Sequence, residues 1–240
     1  MPTRLNPTSV QTFEQERAGG PPKESGAAQS RVVCFALRRG GFQVTALDIP
    51  EFQSNPRMQE RYRRTGIECV AANLKRHQLP FPNAHFDFVI MCETLEHLNF
   101  NPLPVIKELN RVTKKSGLLY LTVPNQVSAN NRLKVLRGQT IQASVEEFYQ
   151  QLDQKMNMIV GLHWREYSKT DLYELFEPMG FAIRHHRFFQ EDKSYRYKRL
   201  KFSLKDLLGE FIPSFRPVHV VLAEKVAEDT HEFFETDALA

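Results

Sequence analysis

Short apolar segments, several of them too continuous to alternate between a wet and a dry face, constrain this chain more than any other feature. FQVTALDI (42–49), HFDFVIMC (85–92), SGLLYLTVPN (116–125) and FAIRHHRFF (181–189) read as strands, with HVVLAEKV (219–226) as a fifth and IECVAAN (67–73) as a weaker sixth. Near-continuous apolar strands belong to sheets covered on both faces, which is the habit of parallel sheets. Helical patterns fill the gaps. In VIKELNRVTKKSG (105–117) Val105, Ile106, Leu109 and Val112 follow helical spacing, and Gly117 is expected to end that helix. Ser168 and Asp171 form a capping-box start for a helix whose stripe is Leu172, Leu175, Phe176 and Met179, stopped at Gly180. Alternating strands and helices predict a doubly wound α/β sheet. Ligands of such sheets bind at the carboxyl ends of the strands, so Asp48, Asn73, Cys92 with Glu93, and Pro124 with Asn125 are the positions to read for chemistry.

The 240 residues suit one such domain with an appendage. No run of about 18 apolar residues is present, so no membrane-spanning helix is expected. The opening MPTRLNPTSVQTFEQER has no apolar stretch of the secretory kind, and Cys34, Cys69 and Cys92 make no C-x-x-C pair, so a reducing, cytoplasmic setting is expected. Residues 1–30, with three bases against three acids and the run Gly19 to Pro22, read as a flexible leader. Residues 227–240 carry five acids and no base, and with a net charge of +4 overall this tail leaves the body, 31–226, at +9.

VTALDIP, the LPFP-x3-FD-x-VI stretch (79–90), the following ETLEHL, the strand GLLYLTVPN and HWREYSKTDLYELFEPMGF (163–181) together resemble a class I S-adenosylmethionine-dependent methyltransferase, of the type 11, 12 or 23 kind. The resemblance runs from about residue 32 to 226 and implies a Rossmann-like sheet with S-adenosyl-L-methionine as cofactor. It gives Asp48, at the end of the second strand, the cofactor's ribose hydroxyls, because one carboxylate can accept from both members of a diol. It places Asn73 and Leu74 at the adenine, and Cys92 beside the cofactor. A turn-forming role is the competing reading for Asp48 before Pro50 and for Asn73.

Three readings stay open for Glu93-Thr94-Leu95-Glu96-His97. The plainest is a helix start with acids at its positive end. In the second, His97, with Glu93, handles a proton beside the transferred methyl. The third is a divalent metal site of Glu93, Glu96 and His97 completed by His163, since ETLEH is similar to the E-x-x-E-H pattern of metal-dependent small-RNA 3′-terminal 2′-O-methyltransferases. The first two are favoured and no metal is expected.

The same resemblance calls for a first strand leading into a glycine-rich loop near residues 18–28. Gly19, Gly20 and Gly26 stand there with no apolar run before them, while RVVCFALRRGGFQV (31–44) reads as the family's next helix and turn. The expectation is therefore a sheet whose first strand is missing and whose glycine motif is degenerate. Insertions 126–164 and 190–217 are expected to form a lid, with His163, Trp164 and Asn125 against the acceptor. The second insertion interleaves Lys193, Arg196, Lys198, Arg199 and Lys201 with Tyr195, Tyr197 and Phe202. That pattern admits a nucleic-acid strand or an anionic surface, but a solvated cover is favoured. The leading expectation is methyl transfer to an oxygen or nitrogen of a small molecule. The alternatives are a catalytically inactive methyltransferase-like binding protein and metal-assisted methylation of an RNA end. Oligomeric state is not legible.

Overall fold

The computed structural model describes residues 9–13, 26–50, 56–76, 78–152, 162–190, 209 and 211–232. Seven strands form one sheet: β1 (Ser9–Phe13), β2 (Gln43–Asp48), β3 (Glu68–Ala71), β4 (Phe86–Cys92), β5 (Thr113–Pro124), β6 (Phe181–Phe189) and β7 (Val218–Lys225). Their spatial order is β3-β2-β1-β4-β5-β7-β6. β1 to β5 are mutually parallel, and β7 runs antiparallel between β5 and β6.

The expectation of a missing first strand is overturned. Ser9–Phe13 occupies the centre of the sheet, with Val10 in register with Val44 on one side and Phe88 on the other. SVQTF is short and half polar, which is why no apolar run announces it. The proposed leader of residues 1–30 is corrected accordingly, because it contains β1 and the first turn of helix α1 (Gly26–Arg39). Gly26 opens that helix, while Gly19 and Gly20 lie outside the described residues.

Alternation along each strand divides the core between the two faces. Val44 and Ala46 of β2 pack with Cys34 of α1 and with Tyr62 of α2 (Pro56–Thr65). Ile90 and Cys92 of β4 meet Val33 and Leu37 of α1 on that same side. Leu47, Val89 and Met91 face the other way, toward α3 (Leu103–Val112) and α6 (Lys169–Phe176). The three layers bury both faces of the parallel strands, as their composition demands.

Two local expectations meet the structure differently. Around α6, Ser168 accepts from the Asp171 backbone N–H while the Asp171 carboxylate accepts from the Ser168 N–H, completing the capping box, and the stripe Leu172, Leu175, Phe176 and Met179 is buried. Helix α3, by contrast, ends at Val112 and not at Gly117. Thr113 already pairs with Phe86, and the next paired step is Leu118 with Phe88, so Lys114 to Gly117 form a bulge in β5. A side chain at Gly117 would stand 2.8 Å from both the Lys114 carbonyl oxygen and Thr113 Cγ2.

The edge of the sheet away from the strands' carboxyl ends is tied shut. Gly180, at φ +82°, approaches the Ala227 carbonyl so closely that an added Cβ would lie 2.4 Å from it. Asn110 donates to the Met179 and Ala227 carbonyls, and the buried Lys225 ammonium donates to the carbonyls of Asn110 and Thr113. The acidic tail thus begins docked, with the Asp229 N–H on Asn110 Oδ1; Phe233 and Phe234 lie outside the described residues. Helices α4 (Ala129–Leu136) and α5 (Val145–Leu152) fall in the first insertion, whose residues 153–161 are not described, and of the second insertion 191–208 and 210 are not described either. Among the described residues no helix is long and apolar enough to cross a membrane.

Candidate functional site

Parallel register sets Asp48, Ala71 and Cys92 at the carboxyl edge, on strands that flank or neighbour β1. Chain order reverses between β1 and β4, so the switch point opens beside β1. Asp48 ends β2 with its carboxylate largely buried, one oxygen accepting from the Ile49 N–H at 2.7 Å. Asn73 uses its side-chain oxygen to accept from the Lys75 N–H at 2.9 Å, bracing a short 3₁₀ turn over Leu74–Arg76. Leu74 packs against the main core. Cys92 ends β4, and burial pushes its thiol up to about 11, so it is a neutral lining group and no nucleophile.

Beyond β4 the chain turns sharply: Glu93 adopts φ +49°, and Leu95–His97 form a single 3₁₀ turn that no side chain caps. The helix-start reading of this motif therefore lacks its helix. Glu96 is fully buried, and neither carboxylate oxygen has a hydrogen-bond partner. Burial first, and then the charges of Glu93 and Glu166, hold its carboxyl well above the usual carboxylate range. His97 places Nε2 3.7 Å from Glu96 Oε1 and binds the Leu162 carbonyl through Nδ1 at 2.9 Å. Because a carbonyl can only accept, Nδ1 carries the proton.

The segment 162–167 folds against this turn. Trp164 donates its backbone N–H to the Glu96 carbonyl at 2.8 Å, which carries His163 to within 4.9 Å of the His97 ring, edge to face. His163 Nδ1 lies 3.3 Å from Glu166 Oε1, and Glu166 Oε2 accepts from Asn131 Nδ2 at 2.6 Å. The Trp164 indole stacks on Phe148 of α5, and its Nε1–H is buried without a partner among the described residues. Asn125 has both amide protons spent on the Ser214 and Arg216 carbonyls and its oxygen on the Val127 N–H. Its side chain thus braces the site's rim by bonds within the protein.

A pocket of about 540 Å³ opens along the end of β5 and α4, walled by Asn125, Ser128, Asn131, Lys134, Arg137 and Glu166 among others. Glu166 and Asn131 were not anticipated from sequence. The signal available for Glu166 was its spacing of three from His163.

A family model described as "Methyltransferase domain" matches residues 24–121. That stretch runs from the approach to α1 through β4 and most of β5. The fold is that of the class I S-adenosylmethionine-dependent methyltransferases. Two probable S-adenosylmethionine-dependent methyltransferases from two strains of Mycobacterium tuberculosis are 35% identical over 86 residues, 36% of this chain and 29% of theirs. The match therefore spans under a third of the length of those curated relatives. Among solved structures, a methyltransferase from Methanosarcina mazei superposes with a TM-score of 0.57 at 18% identity, covering 92% of this chain and 93% of that one. A Haloferax volcanii methyltransferase solved in complex with the Trm112 methyltransferase activator gives 0.56 at 13%, covering 92% and 83%. The [4+2]-cyclase SpnF gives 0.52 at 16%, covering 91% and 75%. The class I fold thus hosts more than one chemistry, and function has to be argued from the site.

Proposed function

We propose that this chain is a methyltransferase that binds S-adenosyl-L-methionine over the carboxyl ends of β1, β2 and β4 and methylates an oxygen or nitrogen of a small-molecule acceptor. The observation that carries the reading is the buried Asp48 carboxylate at the end of β2, adjoining the switch point of a complete seven-strand sheet. The residues present fit the cofactor's polar half: Asp48 for the two ribose hydroxyls, the Asn73–Leu74 turn for the adenine edge, and the neutral, buried Cys92 as apolar lining. When bound, the cofactor supplies a methyl activated by its sulfonium. The protein's task in such an in-line displacement is to align an acceptor and take up its proton.

The acceptor side of this proposal is the pocket beside Glu166, whose volume is within the usual range for small-molecule sites, roughly 300–1,000 Å³. Its polar walls suit a hydroxylated or otherwise polar molecule. His97 and Glu93, on the turn that follows β4, are the groups to handle a proton, and they connect to that pocket through His163, which packs on the His97 ring and meets the pocket-wall carboxylate of Glu166. The inactive reading rested on a lost central strand and a degenerate glycine motif; β1 removes the first of these grounds, while Gly19 and Gly20 lie outside the described residues.

Calorimetric titration with S-adenosylhomocysteine tests the proposal. We expect saturable binding, weakened about 10- to 100-fold in Asp48→Ala, because a carboxylate's hydrogen bonds to a diol are charge-assisted and contribute about 1.5–3 kcal/mol. No heat at saturating ligand would sink the methyl-transfer reading. An unchanged affinity in Asp48→Ala would sink the ribose assignment.

A further inference from the structure

We propose that Glu96, His97 and His163 bind one divalent first-row transition cation, zinc, manganese, iron(II) or cobalt, at the carboxyl edge of β4. Each of the three offers a ligand atom, and these atoms all lie within 4.8 Å of one another. A cation could stand between them with little movement, since bonds to such ions are about 2.0–2.3 Å long.

Glu96 is the decisive member. A carboxylate withdrawn from water costs several kcal/mol unless something compensates it. Here compensation is poor: neither oxygen meets a hydrogen-bond donor among the described residues, and the His97 imidazole stands 3.7 Å from Oε1. The charges next to it, Glu93 and Glu166, are of the same sign and make the vacancy of positive charge worse. A 3₁₀ turn of three residues with no capping bond gives no structural reason to bury an acid at this point.

The imidazoles carry the second mark of a cation site. Metal-binding histidines donate one ring N–H to a carbonyl or carboxylate, which fixes the tautomer and presents the other nitrogen as a lone pair. His97 does this through Nδ1 to the Leu162 carbonyl, and His163 through Nδ1 to the Glu166 carboxylate. In both rings Nδ1 is the nitrogen so engaged, and Nε2 is the one that would meet the cation. The support continues outward, because Asn131, itself buried, holds the second oxygen of Glu166. Asn131 follows the Ser128 cap of α4, so a helix backbone anchors the chain Asn131, Glu166, His163.

Two imidazoles and one carboxylate favour these transition cations over magnesium or calcium, which prefer oxygen throughout. Three protein ligands also leave at least one position for water or for an acceptor oxygen, and Glu166 joins the cluster to the pocket wall. The inference thus deepens the methyl-transfer reading on which its acceptor side rests. It narrows the acceptor to a molecule presenting a hydroxyl oxygen, and it assigns His97 Nε2 to the cation in place of the proton.

The test uses the whole chain, stripped with a chelator and titrated calorimetrically with zinc or manganese chloride, and with cobalt chloride while visible absorption is followed. We expect one equivalent bound, with cobalt bands of a nitrogen-ligated site. Glu96→Gln and His163→Ala should each weaken binding at least tenfold. His185→Ala, on the exposed side of β6, should leave it unchanged, and magnesium should bind at least tenfold more weakly than manganese. Absence of saturable binding, or binding that both site variants retain in full, overturns the proposal. S-adenosylhomocysteine titrated into the stripped protein separates the two readings. If it binds while no cation does, the cation site falls and the methyltransferase reading stands; if cations bind and it does not, the reverse holds.

Discussion

His97 and His163 meet edge to face with ring centroids 4.9 Å apart, and His186 and His219 lie 5.1 Å apart, yet the two pairs sit in opposite electrostatic settings. The first pair has the acids Glu96 and Glu166 beside it, and the Glu96 carboxylate meets no hydrogen-bond donor among the described residues. The second lies between β6 and β7 and closes its bonds: His219 donates Nε2–H to the Tyr167 carbonyl at 3.0 Å and accepts at Nδ1 from His186 Nε2 at 2.8 Å. Burial, and then the neighbouring His186, push His219 down to about 4; His186 is itself lowered by burial and then by Lys169. Asp171 on α6 opposes the shift of His219 only weakly, and Tyr173 packs its ring edge to face against His186. A pair bonded ring to ring and on to the backbone holds strands together. One with a bare acid beside it is prepared for something that is not protein.

That contrast predicts substitutions of opposite sign. His219→Ala should cost the most, about 3 kcal/mol, because it opens a cavity and strands the Tyr167 carbonyl. In a chain of this size that is a fall in melting temperature of about 6–12 °C, read by calorimetry. A loss below 2 °C would mean that the β6–β7 pair does not hold the strands.

Acid comes next. A histidine lowered in the folded state binds more protons when unfolded, so its contribution to stability is complete above about pH 6.5 and falls as pH drops toward 4. From pH 8 to pH 5 the loss should be about 2 kcal/mol, and His219→Gln should remove most of that slope. Melting curves across this range that stay parallel in the two proteins would contradict the assignment.

The smallest effect should have the other sign. In chelator-stripped protein at pH 8, Glu96→Gln should raise stability by about 1 kcal/mol, since it removes a buried acid that is disfavoured by burial and by Glu93 and Glu166. Destabilisation instead would show that Glu96 supports the fold, and would erase the distinction between the pairs.

How far sequence reading reached follows the same division. The parallel strands were legible because burial on both faces makes them continuously apolar, and the α6 capping box because Ser168 and Asp171 act three residues apart. β1 was not legible: SVQTF offers only Val10 and Phe13 as apolar signals, and it is recognised by what lies on either side of it. Helix α3 was read too long because Lys114 to Gly117 suit a helix end as well as they suit a bulge. In the site, the ETLEH turn was visible, but Glu166 and Asn131 act across 35 residues of chain, a pairing that only the fold creates. His186 and His219 were missed since two histidines in separate strands look like ordinary alternation.

The placement of β1 also bears on time. Val10 finds its two partners, Val44 and Phe88, 34 and 78 positions further along the chain. Loop-closure entropy has to be met at both separations before either edge of a five-residue strand is satisfied, and non-local parallel pairing of this kind slows folding. The rim that carries Asp48 and Glu93 is therefore expected to be among the last parts of a refolding chain to assemble, after the antiparallel β6–β7 ribbon, so recovery of ligand binding should lag behind recovery of secondary structure.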